Sequence, residues 1–236
     1  MSQSIRPVTV IRGFTKNTPG SVLYRCGETV VLCTVSLEEK VPDWMSGRGK
    51  GWITAEYNML PGSTPQRKSR ERSGKVDGRT TEIQRLIGRS FRAIADLEKL
   101  GERSLTIDCD VLQADGGTRT AAITGGMIAL IDAVNTVFRG VPANIYPLRD
   151  SVAAISVGIV DGKPSLDLDY LRDVRADVDM NVVMTGKNKF VEIQGTGEEA
   201  TFDESELDSL LALAKQGIAQ LHAEQKNALG DDWPWK

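Results

Sequence analysis

At 236 residues, 40% of them hydrophobic, the chain can bury one sizeable core or two small ones. Its net charge of −3 gives no general attraction for nucleic acid, and its three cysteines have neither metal spacing nor the density of a disulfide scaffold. One histidine, His222, in the C-terminal segment, nearly excludes Ser-His-Asp, Cys-His and His-ligated zinc chemistry, so acid–base work must fall to carboxylates or be minimal.

No apolar run approaches membrane-spanning length and no signal-peptide h-region opens the chain, which predicts a soluble, cytoplasmic protein without membrane association. No linker, low-complexity tract or short repeat interrupts residues 1–236, so a single domain is expected. The first sixty residues read as β-rich, with strands at 8–10, 21–26, 29–37 and 52–57. Residues 62–78 are polar, basic and glycine-punctuated, which reads as a loop. From Arg67 to Arg92 nine Lys or Arg stand against three acids, a local +6 on a remainder of −9. A basic segment on an acidic body is the pattern of a localised polyanion site, because binding follows the local field. Arg67, Lys68, Arg70 and Arg72 are either solvated or grip RNA phosphates without reading bases.

Thr81-Glu82-Ile83-Gln84 matches a capping box and predicts a helix with Ile83, Leu86, Ile87, Phe91, Ile94 and Leu97 inward and Arg85, Arg89 and Arg92 as an outer stripe. Arg79, two residues ahead, is a solvated arginine or a guanidinium placed at a helix start. Leu105, Ile107, Cys109 and Val111 then alternate with polar residues as a half-buried strand, and 121–131 is apolar on most faces as a buried helix. Between them lies Asp115-Gly116-Gly117-Thr118-Arg119-Thr120. Two glycines let the backbone turn sharply, the next N–H groups lack helical partners, and two hydroxyls and a guanidinium follow. That is a socket for a phosphate-sized anion. The plainer alternative is a helix start with Thr118 as N-cap, and the hexapeptide alone does not choose.

The second half carries strands at 152–160, 166–169, 180–184 and 190–194, then a long helix from Asp203 with Glu206 completing a capping box. Strands then helices, twice, predict an α+β fold of two similar β-α halves. Asp167, Asp169, Asp173, Asp177 and Asp179 form a solvated acidic loop or supply a carboxylate pair that holds Mg²⁺ or protonates a leaving oxygen. His222 is expected at a surface or interface.

Six blocks carry a resemblance: GWITAEYNMLP (51–61), EIQRLIGRS (82–90), LTIDCDVLQADGGTRTAAITG (105–125), AAISVGIVDG (153–162), DMNVVMTG (179–186) and VEIQGT (191–196). In this order they resemble the bacterial ribonuclease PH family, phosphorolytic exoribonucleases that trim tRNA 3′ ends. The resemblance implies a ribosomal protein S5 domain 2-like fold assembled as a homohexamer, a trimer of dimers, acting on tRNA precursors and other RNA 3′ ends. It implies inorganic phosphate as co-substrate, held by Arg79, Gly117, Thr118 and Arg119, with Asp173 and Asp179 as the catalytic pair and possible Mg²⁺ ligands. It also assigns Arg67 and Arg70 to RNA. Gly62 stands where family members often carry Arg, which leaves RNA grip either weaker or carried by Lys68 and Arg72.

Overall fold

The computed structural model describes residues 4–70, 77–197 and 200–235. In chain order the elements are β1 (Val8–Arg12), β2 (Gly20–Cys26), β3 (Thr29–Glu38), β4 (Trp52–Met59), α1 (Gly78–Ile94), α2 (Leu97–Leu100), β5 (Ser104–Gln113) and α3 (Thr118–Phe138). Then follow β6 (Val152–Val160), β7 (Lys163–Leu166), α4 (Tyr170–Asp173), β8 (Ala176–Thr185), β9 (Phe190–Gly197) and α5 (Glu204–Leu229).

The first half is a five-stranded sheet of order β1-β2-β3-β5-β4, antiparallel except for β4 beside β5. A parallel pair needs a crossover, and α1 with α2 supplies it. The second half is an antiparallel sheet of order β7-β6-β8-β9. The two are packed as four layers: five-stranded sheet, α1 and α3, four-stranded sheet, α5. β6 explains its own composition in this arrangement. Ala153, Ile155, Val157 and Ile159 join the core beside α5, while Val152 and Ala154 join the core around α3. A strand covered on both faces reads as a continuous apolar run instead of an alternation. By length and apolarity α3 would pass for a membrane span, yet it is the core helix, buried between the sheets.

Several boundaries differ from the sequence reading. α1 starts at Gly78 with Asp77 as N-cap, its side chain accepting from the Arg79 N–H at 3.1 Å. Thr81 therefore lies one turn inside the helix, and Arg79 sits in the first turn. The expected arginine stripe divides: Arg89 pairs with Glu192, while Arg92 lies over the Trp52 ring and donates to the Ile53 carbonyl. The strand expected at 166–169 ends at Leu166, because Asp167 adopts a positive φ and the chain turns into α4. The final capping box of Asp203 and Glu206 is present. His222 is half-buried; its Nδ1 lies 3.2 Å from Ser151 Oγ and 3.0 Å from Gln225 Oε1, and burial holds its pKa below the ordinary value. The three cysteines are free buried thiols.

A buried tie joins the halves. Arg6, just before β1, donates from its backbone N–H and Nε to Asp167 Oδ2 at 2.7 and 3.0 Å and from Nη2 to Oδ1 at 2.8 Å. Its Nη1 donates to the Asp115 carbonyl at the end of the first half's last strand. Burial opposes the charge on Arg6, but the hydrogen bonds and charge of Asp167 outweigh it and raise the guanidinium pKa further. Gly116 completes the joint. Its φ is +71°, and a Cβ there would stand 2.3 Å from the Leu168 carbonyl oxygen, so the two halves' backbones meet without space for a side chain.

Among the described residues no helix covers the outer face of the five-stranded sheet, and three carboxylates crowd there: Glu56 pairs in register with Asp108, and Asp110 is two residues on. Partial burial, then the charges of Glu56 and Asp110, push the Asp108 carboxyl up to about 6.

Two predictions follow from these contacts. Arg6→Ala leaves Asp167 buried without its counter-charge, a loss of about 3–5 kcal/mol in stability for a broken buried pair, read by denaturant unfolding. Because the folded chain holds the Asp108 proton more tightly than the unfolded one, stability falls as pH rises from the ordinary carboxylate range to about 6. Asp108→Asn is therefore expected to raise the thermal midpoint at about pH 7.5, with the gain vanishing near about pH 4.

Candidate active site

The glycine turn and the amino end of α3 form the floor of the site. Gly117 is the N-cap residue, left-handed at φ 62°, and contributes no side-chain cap. The expectation of Thr118 as N-cap is thereby corrected: Thr118 is the first helical residue, and its hydroxyl accepts from Tyr57 OH at 2.8 Å. The first intrahelical bond is Ala121 N–H to Gly117 O, so the N–H groups of 118–120 precede the helical ladder and lie at the positive end of the dipole. Thr29, on β3, fixes the turn from behind by accepting from the Asp115 N–H at 3.1 Å and donating to the Gly116 carbonyl at 2.7 Å. The floor is thus built from the ends of two rigid strands and one buried helix.

A cavity of about 660 Å³ opens above it. Arg79, Gly117, Thr118, Arg119, Asp173, Asp179 and Lys68 all line it, so residues separated by more than a hundred positions converge on one volume. Arg79 enters from the first turn of α1, a second helix start on the same cavity. Arg119 is steadied by Glu82 Oε2 at 3.2 Å and Gln194 Oε1 at 2.8 Å, contacts that reach into α1 and β9. Arg67 and Arg70 are exposed and lie outside the cavity lining. Arg72 falls outside the described residues.

The five aspartates have separate fates. Asp167 is spent on Arg6. Asp169 caps α4, accepting from the Arg172 N–H and guanidinium; these bonds hold its carboxyl below the ordinary range against the opposing effect of burial. Asp177 is exposed on β8. Only Asp173, at the end of α4, and Asp179, on β8, line the cavity. Asn181, two residues along β8, shares the inner face with Asp179.

Tyr57 completes the electrostatics beneath the floor. Burial raises its hydroxyl pKa, opposed by the Thr118 hydrogen bond and by the positive field of Arg79 and Arg119, so it stays protonated as a donor. Tyr57, Thr29, Arg6, Glu82 and Gln194 escaped sequence reasoning as site residues. Glu82, Gln194 and Tyr57 lie inside the EIQRLIGRS, VEIQGT and GWITAEYNMLP blocks, which was the available signal. A second hollow of about 550 Å³, between β7 and α5, has neither the glycine turn nor a facing carboxylate pair.

Residues 4–135 match domain 1 of the 3′ exoribonuclease family and residues 150–217 match domain 2. Ribonuclease PH of Rhodopirellula baltica is 64% identical over 231 residues, spanning 95% of this chain and 94% of the relative. Ribonuclease PH of Syntrophomonas wolfei is 56% identical over 230 residues, spanning 97% and 96%. The fold is shared with rice Rrp46 (TM-score 0.77, 17% identity, 96% of each chain). It is also shared with the Archaeoglobus fulgidus exosome with RNA bound to the active site (TM-score 0.78, 22% identity, 94% and 89%). With both domains matched in order and relatives this similar along nearly the whole length, the chain belongs to the ribonuclease PH family of 3′ exoribonucleases.

Proposed function

We propose that the chain is a phosphorolytic 3′-to-5′ exoribonuclease that shortens tRNA precursors and other RNA 3′ ends, with inorganic phosphate as co-substrate. The observation that carries this reading is the single cavity holding two helix amino ends, Arg79 and Arg119, and the carboxylates of Asp173 and Asp179. The 118–120 N–H groups, Thr118, Arg79 and Arg119 neutralise and orient a phosphate dianion. One of its oxygens attacks the phosphorus of the last phosphodiester, the bond to the 3′ oxygen breaks, and that oxygen takes a proton. The products are a nucleoside diphosphate and RNA one residue shorter. Orientation and charge neutralisation supply most of such catalysis, which suits a chain whose one histidine is packed elsewhere. The exchanged bonds are similar in energy, so the reaction runs backwards when nucleoside diphosphate is abundant.

Asp173 and Asp179 are positioned to hold the leaving-group proton or to bind Mg²⁺. Among the described residues no cluster of three or more acidic, His or Cys side chains is arranged for a metal. Two carboxylates with a substrate phosphate are the ordinary Mg²⁺ ligand set, so the residues fit the ion. When bound it would neutralise charge on the phosphoryl oxygens.

Several further assignments belong to this proposal. Lys68, in the cavity lining, meets RNA, and Arg67, Arg70 and Arg72 are assigned the same role. Both matched domains act as one catalytic unit, joined by the Arg6 tie. The assembly is a ring of three dimers, a reading that rests on the relationship to exosome structures, and the compartment is the cytoplasm.

The test is incubation of a 3′-extended tRNA precursor with and without inorganic phosphate. Nucleoside diphosphates appearing only with phosphate are the expected result. Monophosphates formed without phosphate would replace the proposal with hydrolysis, and RNA binding without turnover would replace it with a scaffold role. Arg79→Ala is expected to lower phosphate-dependent turnover about 100-fold or more while RNA affinity changes little.

A further inference from the structure

Phosphate chemistry accounts for the floor of the cavity but not for its apolar wall. Tyr170 and Val174, one helical turn apart, both line the cavity, and both are strongly exposed, at 50% and 65%. Met59 and Met180 also contribute to the lining. Tyr170 is the only aromatic residue among the described residues of that lining. Large apolar side chains left in solvent beside a polar site mark contact with something that is not phosphate.

The ring is carried on a fixed support. The Tyr170 N–H donates to Asp115 Oδ1 at 3.2 Å, which ties the start of α4 to the glycine turn. Asp169 caps the helix, and Arg172 holds the preceding turn through the Leu166 and Asp167 carbonyls at 3.3 and 2.7 Å. The Asp173 N–H donates to the Asp169 carbonyl at 2.8 Å and the Val174 N–H to the Tyr170 carbonyl at 3.0 Å. Tyr170 and Asp173 thus share one anchored turn.

Resting on the phosphorolytic reading, we propose that Tyr170 is a positioning residue for the RNA, the platform on which the base of the 3′-terminal nucleotide stacks. A terminal phosphodiester brought between Thr118 and Asp173 leaves its nucleoside within the same cavity, where the one π face available is Tyr170. Every base has a π face, so stacking gives grip without sequence preference, which an exonuclease that removes successive nucleotides requires. Val174 continues the platform past the ring.

The experiment compares wild type, Tyr170→Phe, Tyr170→Leu and Tyr170→Ala on two RNAs, one ending in an ordinary nucleotide and one whose terminal nucleotide is abasic. With the ordinary RNA, Tyr170→Ala raises the KM for RNA about tenfold or more, Tyr170→Leu lies between, and Tyr170→Phe stays near wild type. The KM for phosphate is unchanged in all. On the abasic RNA, wild type falls to the level of Tyr170→Ala, and the difference between them disappears. A Tyr170→Ala penalty that persists in full on the abasic RNA would overturn the proposal, since the ring would then only support Asp173. An unchanged KM for the ordinary RNA would overturn it as well. Wild-type turnover on the ordinary RNA separates these failures from failure of the phosphorolytic function itself, which would abolish phosphate-dependent product in every protein tested and remove this proposal with it.

Discussion

The guanidinium of Arg6 bonds both oxygens of Asp167 and the carbonyl of Asp115, and the geometry of the cavity depends on that contact. Asp115 opens the glycine turn that makes the floor of the cavity, while Asp167 opens the segment that becomes α4 and delivers Asp173. Neither half alone has both. A cation with the hydrogen-bonding capacity of arginine can satisfy a buried carboxylate and a backbone carbonyl together, in one plane; lysine has no such fork. Gly116 then allows the backbones to close to a distance that any side chain would prevent. The two halves are therefore registered by directional bonds as well as by the apolar packing of α3 against both sheets, which by itself would tolerate small slides.

Once the halves are registered, the site follows from placement on rigid elements. α3 is buried nearly all round, so the N–H groups at its amino end point in a fixed direction. Tyr57 and Thr29 hold the floor from below, and Glu82 and Gln194 hold Arg119 from the side. Fixed donors need little reorganisation when charge develops on a substrate, and that preorganisation stands in place of a histidine base. The carboxylates arrive on separate elements, Asp179 in the middle of a paired strand and Asp173 on a capped helical turn. Cationic floor and acidic wall thus line one volume.

Much of this was legible in the sequence, for definable reasons. Period-2 and helical patterning exposed most strands and the three long helices, because burial on one face imposes it. The glycine turn declared itself through two glycines followed by hydroxyls and arginine. The family resemblance carried by the six blocks was enough to nominate Arg79, Gly117–Arg119, Asp173 and Asp179, which the fold then brings together. What stayed hidden are the long-range partners. Nothing local to Arg6 announces a bond to a residue 161 positions away. The capping box at Thr81 misled because Asp77, four residues earlier, was the better acceptor and lengthened the helix by a turn. His222 looked like a surface residue on an amphipathic helix, but its ring is half-buried against Ser151 and Gln225. Composition and spacing alone could not divide the aspartate cluster; only the family resemblance singled out Asp173 and Asp179, the two that line the cavity.

The central claim is that the group held at the amino end of α3 is the attacking phosphate and not a bound product or a cofactor's phosphate. The most direct measurement traces its oxygens. With ¹⁸O-labelled inorganic phosphate in ordinary water, the terminal phosphoryl group of the released nucleoside diphosphate should carry the label; in ¹⁸O-water with ordinary phosphate, newly released nucleotide should carry none. Label from water in a released monophosphate would contradict the account.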